Sequence, residues 1–285
     1  SLKKEKIEAI GSHGQTIKHE PNSIPPFSLQ IGNPQLISNQ LGIKTIANFR
    51  DDDIAKGGQG APLSPIFHKE VFAIENKKRV IINIGGITNI SLLGGAKLIG
   101  FDTGPGNCLL DIWTKKNKMG NYDNEGNWAK SGAVDHDLLN IMMKDNYFSL
   151  EPPKSTGPDY FNLSWLQDCL TKLKQEIDPR DTQATLAELT ASSLSNSLKR
   201  LKIIDEKIYI CGGGVHNKFL MSRISFLLGE KCYSTDQLGL DPDYIEAICF
   251  AWLAYKRVNN IKFNMSAITG SNEKVFLGKV YLPSK

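Results

Sequence analysis

The sequence RVIINIGG, residues 79–86, is an apolar run that ends directly in two glycines. Three further apolar runs end in the same way: residues 7–10 before GSHGQT, residues 98–101 before DTGPGN, and residues 207–211 before GGGVHN. Short apolar runs that end in glycine-rich turns are typical of the strands of an α/β protein, whose carboxyl ends surround a ligand crevice. The sequence therefore predicts an α/β fold with a crevice at one edge of a sheet.

Helical periodicity alternates with these runs, as an α/β fold requires. Apolar residues recur at helical spacing over residues 105–116, 182–201 and 243–255, and Asp181 is the expected N-cap of the second helix. The segment GGQGAP, residues 57–62, has the composition of a hinge. We therefore expect the remainder of an N-terminal α/β domain over residues 1–60 and a C-terminal α/β domain over residues 61–285.

The composition excludes several classes of protein. The 285 residues are 40% apolar and 22% charged, which is typical of a globular chain. The 34 basic residues nearly balance the 30 acidic ones, without a basic cluster that would indicate a nucleic-acid partner. No apolar run reaches membrane-spanning length. The five cysteines are scattered without a Cys-x-x-Cys pair, so we expect neither disulfides nor zinc, and a cytoplasmic location.

Asp102 is the principal catalytic candidate. It follows an apolar strand in GFDTGPGN, residues 100–107, where the turn and the next helix present free backbone N–H groups. A carboxylate in such a place suits a general base beside a phosphoryl group. The alternative is that Asp102 only caps the helix that begins near Pro105.

Two glycine-rich turns are candidates for nucleotide binding. In IGGITN, residues 84–89, glycines let the backbone approach an anion, although a tight hairpin has the same sequence. In GGGVHN, residues 212–217, glycines would let a flat base lie against the backbone. Neither the full dinucleotide fingerprint nor a Walker-type phosphate loop occurs, so those two classes are disfavoured.

Polar groups of the N-terminal part suit a sugar. His13 and Gln15 lie in GSHGQT, while Arg50 in NFRDDD is free to pair with a substrate carboxylate. We expect Asp53 to be the inward-facing member of the Asp51–Asp53 run. Glu246, on a largely apolar helix face, is a structural group, a metal-water ligand or a contact to a substrate hydroxyl. The alternative is that these residues belong to ordinary surface turns and that His13 has a structural role.

Taken together in chain order, these motifs resemble the anhydro-N-acetylmuramic acid kinase family. The resemblance extends from about Gly11 to the C-terminus. Its motifs are GSHGQT, SLQIGNP, the NFR–DIA–GGQGAPL run, NIGGITNIS, GFDTGPGN, STGPDYF, TLAELTA, ICGGGVHN and DYIEAICFAWLA.

The resemblance implies a two-domain, actin-like ATPase fold of the ribonuclease H-like type, and a homodimer that binds a small sugar and ATP with Mg²⁺. Family members open the 1,6-anhydro ring of the sugar with water and phosphorylate O6, in cell-wall recycling. Asp102 would be the base that activates the water, and His13, Gln15, Arg50, Asp53 and Glu246 would bind the sugar. The residues expected at the nucleotide are Gly85, Gly86, Thr88, Asn89, Gly104, Gly106, Asn107, Gly212, Gly213, Gly214 and Asn217.

One motif of the superfamily, an N-terminal Gly-x-x-Ser-Gly-Thr-Ser-x-Asp-Gly loop that holds the phosphates, does not occur in the sequence. We therefore expect a first domain truncated at its N-terminus. A sugar-binding fragment without turnover is the first alternative to the kinase. An inverting glycoside hydrolase that uses Asp102 and Glu246 is the second.

Overall fold

The computed structural model describes residues 6–95, 98–203, 206–229 and 232–284. The strands are β1 Ile10–Gly11, β2 Gln15–Glu20, β3 Phe27–Ile31, β4 Thr45–Ala47, β5 Arg79–Ile84, β6 Ile87–Leu93, β7 Ile99–Pro105, β8 Ile208–Cys211, β9 Cys232–Ser234, β10 Phe263–Asn264, β11 Lys274–Val275 and β12 Lys279–Tyr281. The helices are α1 Pro34–Leu41, α2 Asp51–Ala55, α3 Ser64–Phe72, α4 Asn107–Lys116, α5 Asn127–Lys130, α6 His136–Met143, α7 Leu163–Thr171, α8 Pro179–Arg200, α9 Lys218–Leu228 and α10 Ile245–Val258.

The main sheet has five strands in the order β7-β6-β5-β8-β9. β6 is antiparallel to both of its neighbours, whereas β5, β8 and β9 pair in parallel. Counted along the chain, this is the order 3-2-1-4-5 with the second strand reversed, which is the ribonuclease H-like arrangement. The topology confirms the predicted α/β class, and it brings the carboxyl ends of β5, β7 and β8 to one edge.

Alternating side chains of β5 divide the core into two layers. Val80, Ile82 and Ile84 face a cluster built with helices α4 and α6 to α9. Ile81 faces the opposite cluster, which includes residues of α3 and α10. All four of these side chains are buried. Burial on both faces explains why the strand is a continuous apolar run rather than an alternating one.

Helix α8 differs from its predicted start. Its N-cap is Asp178, whose side chain accepts a hydrogen bond from the backbone N–H of Arg180, and Pro179 occupies the first turn. Asp181 was therefore the wrong cap residue: it lies inside the first turn, and its carboxylate accepts a hydrogen bond from the backbone N–H of Ala133. Proline at the first helical position needs no hydrogen-bond partner, so the helix begins there.

A second, smaller sheet has the order β1-β4-β12. β1 is parallel to β4, and the C-terminal strand β12 is antiparallel to it, with Val280 opposite Ile46. Strands from both ends of the described chain therefore pair with β4 in one sheet. The domain boundary at residue 60 stays a prediction. Among the described residues, no helix is both long and apolar enough to cross a membrane.

Candidate active site

Asp102 lies within strand β7, not after it, because the strand continues to Pro105. The N-cap of the following helix α4 is Gly106, and it makes no side-chain capping bond. The capping alternative for Asp102 is therefore wrong. The Asp102 side chain is 4% exposed and lines a cavity of about 330 Å³ at the carboxyl edge of the sheet.

The surroundings of Asp102 fix its position. The backbone N–H of Thr156 donates to Oδ2 of Asp102 at 3.0 Å, and the phenol of Tyr147 donates to the Asp102 carbonyl oxygen at 2.7 Å. Oδ1 accepts no hydrogen bond from the described residues. Burial raises the pKa of Asp102 to about 7, while the bond from Thr156 and the cations Arg50 and Lys154 act in the opposite direction. A carboxyl with this pKa is suited to general-base chemistry near neutral pH.

Arg50 and His13 form a bonded pair beside Asp102. Arg50 donates to Nε2 of His13 from Nε at 3.2 Å and from Nη2 at 2.8 Å, and it donates to the Gly60 carbonyl oxygen at 2.7 Å. His13 Nδ1 lies 2.9 Å from the carbonyl oxygen of Gly14. Burial, and then Arg50, lower the pKa of His13 to about 4. The imidazole is therefore neutral, with the Nε2 lone pair directed at the guanidinium.

The predicted sugar-binding residues meet at this cavity, with one exception. His13, Gln15, Arg50 and Glu246 all line it together with Asp102. Glu246 is exposed rather than buried, and it lies in the first turn of α10, where the helix dipole favours a carboxylate. The Glu246 carboxylate therefore needs no partner inside the protein, contrary to the expectation from its largely apolar helix face.

Asp53 is the exception. Its carboxylate accepts hydrogen bonds from the backbone N–H of Gly60 and from the hydroxyl of Thr269, both at 2.7 Å, and its side chain is buried. Asp53 faces inward, as expected, but it holds the glycine-rich segment that follows α2 and does not line the cavity. Because both carboxylate oxygens already accept hydrogen bonds, the structure gives Asp53 a structural position.

The turn after β5 borders the same cavity. Gly85 and Gly86 form the tight hairpin turn between β5 and β6, in which Ile84 pairs with Thr88. Both glycines and Asn89 line the cavity. Thr88 is buried on the other side of the strand, and its hydroxyl has no partner among the described residues. The hairpin interpretation is therefore correct for the backbone, and the turn still presents two glycines to a ligand.

A second cavity, of about 780 Å³, borders the GGGVHN turn, residues 212–217. Three of the predicted nucleotide residues line it: Asn107 at the start of α4, Gly213, and Asn217, which caps α9. Amide, phenol and imidazole groups of Asn121, Tyr122, Asn124 and His216 also line it, together with the charged residues Asp111, Lys115, Asp123, Glu125 and Lys218. Amides beside an aromatic ring can bind a purine base by hydrogen bonding and stacking.

The remaining predicted glycines do not line either cavity. A side chain at Gly106 would collide with the carbonyl oxygen of Gly85, and one at Gly212 would lie 2.7 Å from the carbonyl oxygen of Ile84. A side chain at Gly214 would meet Ile84, and one at Gly104 would lie 2.8 Å from the Phe148 ring. These glycines permit close packing of the strand ends, and they lie outside the lining of both cavities.

Three residues that the sequence argument did not single out also line the first cavity. His68 is fully buried. Its Nδ1 lies 2.8 Å from the Ser91 hydroxyl, and its Nε2 has no hydrogen-bond partner within the described part of the chain. Thr156 has a buried hydroxyl that none of the described residues bonds. His19 lies between the hydroxyls of Ser28 and Ser155, which links the β2–β3 hairpin to the loop that carries Thr156. Thr156 is in the quoted STGPDYF motif, but nothing in the sequence marks which of its side chains faces a cavity.

The fold and the site together define a phosphotransferase of the sugar-kinase class. The sheet edge carries a buried carboxylate, a neighbouring cation and glycine turns that lead to a second cavity. The family model described as anhydro-N-acetylmuramic acid kinase matches residues 1–283, and the chain belongs to that family. The resemblance seen in the sequence is thereby confirmed, and use of ATP as the phosphoryl donor follows from the class.

Relatives of known name agree with the family assignment. The chain is 48% identical over 287 residues to the anhydro-N-acetylmuramic acid kinase of Pasteurella multocida, with 100% of this chain and 76% of that protein covered. The kinase of Saccharophagus degradans is 46% identical, with 97% and 76% covered. The kinase of Coxiella burnetii is 44% identical, with 98% and 76% covered.

Solved structures of low sequence identity were also found. The activator of the 2-hydroxyisocaproyl-CoA dehydratase from Clostridium difficile, with bound ADPNP, has a TM-score of 0.41 at 16% identity and covers 70% of this chain and 67% of that one. Component A of the (R)-2-hydroxyglutaryl-CoA dehydratase from Acidaminococcus fermentans has a TM-score of 0.42 at 14% identity, with 80% and 75% covered.

Proposed function

We propose that this chain opens the 1,6-anhydro ring of anhydro-N-acetylmuramic acid with water and transfers the γ-phosphoryl group of ATP to O6. The products are N-acetylmuramic acid 6-phosphate and ADP, and the reaction serves cell-wall recycling and amino-sugar catabolism. The observation that carries this proposal is the buried carboxylate of Asp102, with one oxygen fixed by Thr156 and the other open to a cavity of sugar size.

Asp102 acts as the general base. It removes a proton from water as the water oxygen forms a bond to the anomeric carbon, and the bond from that carbon to the bridging oxygen breaks. The bridging oxygen becomes O6, which attacks the γ-phosphorus of ATP as ADP leaves. The raised pKa of Asp102 makes it a stronger base than an ordinary aspartate, because burial disfavours its ionised form.

The sugar is bound by the groups around Asp102. Arg50 has guanidinium hydrogens beyond those donated to His13 and Gly60, and these are available to a substrate carboxylate. Gln15 and Glu246 are exposed at the cavity and can bind hydroxyl or amide groups. His13, kept neutral, fixes the plane of the guanidinium and does not compete for an anion.

The nucleotide would extend from the Gly85–Gly86 turn to the second cavity, with Asn89 beside the phosphates and Asn107, Gly213 and Asn217 beside the nucleoside. A side chain at Gly86 would have only Cys108 near it, at 3.8 Å, so space for a ligand exists on that face of the turn. No cluster of three metal-binding side chains occurs among the described residues. Mg²⁺ would arrive on the phosphates of ATP, where it neutralises charge.

Isotope labelling tests the complete reaction. In H₂¹⁸O the purified chain, the anhydro sugar and Mg-ATP should give ADP and a sugar phosphate in equal amounts, with one ¹⁸O at the anomeric carbon and none in the phosphoryl group. Mass spectrometry of the product and of its fragments locates the label. Label in the phosphate, or ADP without sugar phosphate, would contradict the proposed order of bonds.

The same samples separate the alternatives. An inverting hydrolase that uses Asp102 and Glu246 would release unphosphorylated N-acetylmuramic acid when ATP is absent. A binder without turnover would bind the sugar in calorimetry with no effect of ATP or Mg²⁺. The family assignment does not favour the binder, since its members of known name are kinases.

Two further expectations concern the state of the protein. We propose a homodimer, which the outward face of the β2–β3 hairpin supports: Ile17, Leu29 and Ile31 are each about half exposed there. Light scattering coupled to size exclusion measures the mass directly. We also propose a cytoplasmic location, supported by five free cysteines, and fractionation of cells that produce the protein tests it.

A further inference from the structure

Thr156 combines two features on the same residue. Its backbone N–H donates to Oδ2 of Asp102 at 3.0 Å, and its side-chain hydroxyl is buried without a hydrogen-bond partner among the described residues. The residue lines the cavity that Asp102 also lines. A buried hydroxyl that lacks a partner costs free energy, so folded proteins almost always satisfy such groups with protein atoms or ordered water.

The position of Thr156 relative to Asp102 is fixed from both sides. The backbone N–H of Asp102 donates to the carbonyl oxygen of Lys154 at 3.3 Å, and the Thr156 N–H returns a bond to the Asp102 carboxylate. The loop is further held by the Ser155 hydroxyl, which lies 3.1 Å from Nε2 of His19 and 3.0 Å from Oε1 of Gln59. The backbone of Thr156 is therefore held beside the base by a loop with several anchors.

We propose that the Thr156 hydroxyl holds the nucleophilic water against Asp102, and that Thr156 is a positioning residue for the ring-opening step. One hydrogen of the water is donated to the open oxygen Oδ1 of Asp102 and the other to Oγ1 of Thr156. A lone pair of the water then faces the anomeric carbon. The inference rests on the proposed function, because it assigns the water of that reaction.

The step is balanced without any contribution of protons or electrons from Thr156. The water oxygen bonds to the anomeric carbon, its proton passes to Asp102, and the electron pair of the broken bond stays on the bridging oxygen. Thr156 restricts the orientations open to the water. Holding a reactant in the attacking geometry accelerates the step without strengthening the binding of sugar or ATP.

The isosteric substitution Thr156→Val tests this inference, because it removes the hydroxyl and retains both the shape and the backbone N–H bond to Asp102. We expect kcat to fall about tenfold, the equivalent of one hydrogen bond, with KM for both substrates unchanged within about twofold. Thr156→Ser should restore kcat to within about threefold of the unmodified chain. The matched control is Thr235→Val, which removes another buried, unpartnered hydroxyl outside both cavities and should leave kcat unchanged.

Other outcomes overturn the inference. If Thr156→Val raises the KM of the sugar at constant kcat, the hydroxyl binds sugar and not water. If its kcat equals that of the unmodified chain, the hydroxyl has no role. If the unmodified chain forms no sugar phosphate, the proposed function itself fails, and the role of Thr156 fails with it.

Should Thr156→Val not fold, a crystal structure of the unmodified chain with the anhydro sugar gives the second measurement. A water within hydrogen-bond distance of both Asp102 Oδ1 and Thr156 Oγ1 supports the inference, and its absence overturns it.

Discussion

Replacing Asp102 by Asn should stabilise the protein while it removes the activity. The pKa of the carboxyl rises from 3.8 to about 7 on folding because burial disfavours the charge. The folded state then binds the proton more tightly than the unfolded state does. The free energy of unfolding therefore falls as the pH rises from the unfolded pKa through the folded one, and the contribution of the bound proton is lost above about pH 7.

The size of the effect follows from the same shift. One pKa unit is equivalent to about 1.4 kcal/mol, so ionised Asp102 costs the folded state about 4 kcal/mol at pH 8.5. Asn is neutral and retains an oxygen that can accept the bond from the Thr156 N–H. At roughly 2 °C per kcal/mol for a chain of this size, Asp102→Asn should raise Tm by roughly 8 °C at pH 8.5. At pH 5 the difference should fall below half of this, because the folded carboxyl is then protonated.

Thermal melts at the two pH values and ADP release measure both consequences. Asp102→Asn should reduce kcat by about 10² to 10⁴, the usual contribution of a general base. For the unmodified chain, kcat/KM should be half-maximal near pH 7 and about a tenth of its plateau at pH 6. Equal Tm values for the two proteins at pH 8.5, with activity independent of pH below 7, would refute the reasoning that burial of Asp102 creates the base.

Four further substitutions test the surroundings of Asp102. Gly106→Ala introduces a collision with the carbonyl oxygen of Gly85, so it should lower Tm and weaken ATP binding. Gly86→Ala has free space for its methyl group, so it should raise the KM of ATP at unchanged Tm. Equal Tm values for the two variants would contradict the packing argument. Arg50→Met should raise the KM of the sugar about tenfold or more and leave that of ATP nearly unchanged, as measured by ADP release. His68→Phe should raise the KM of the sugar, because the buried Nε2 loses its polar function; an unchanged KM in the same assay would show that no substrate group reaches it.

Much of the fold could be predicted from the sequence because its strands are buried on both faces. Such strands appear as continuous apolar runs. The run at residues 79–84 coincides with β5, and the run at residues 207–211 matches β8 to within one residue. The pairing of β12 with β4 could not be predicted in this way. Two- and three-residue strands have too little periodicity to detect, and the contact joins residues more than 230 positions apart, for which a single sequence carries no signal.

The site was predicted in its chemistry but less well in its geometry. Asp102, Arg50 and His13, which line one cavity, were predicted because a carboxylate follows a strand and precedes a glycine turn, and because the polar N-terminal groups suit a sugar. Asp53 has the same composition around it, yet its carboxylate is used by Gly60 and Thr269. The partner Thr269 lies more than 200 positions away, and only the folded chain reveals that it occupies this carboxylate.

Glycine was similarly ambiguous in the sequence. Gly86 faces a cavity, whereas Gly106 is required where two strand ends approach each other. Both positions require a residue without a side chain, and both glycines come after an apolar run. The sequence alone therefore cannot distinguish a ligand contact from a packing contact. The difference depends on which surface the missing Cβ would face, which is a property of the sheet and not of the local segment.

The strongest argument that this cavity binds an anionic sugar lies in how Arg50 is satisfied. Within the described part of the chain its guanidinium donates only to neutral acceptors, the His13 imidazole and the Gly60 carbonyl. Asp102 and Glu246 act on its pKa, but neither forms an ion pair with it. A partly buried cation without a bonded anion is costly, and an added carboxylate relieves that cost. The neutral state of His13 is also required, because a protonated imidazole at this position would repel the guanidinium of Arg50. An acidic sugar would therefore supply the anion that Arg50 lacks among the described residues, and the preference for a sugar with a carboxylate should vanish in Arg50→Met.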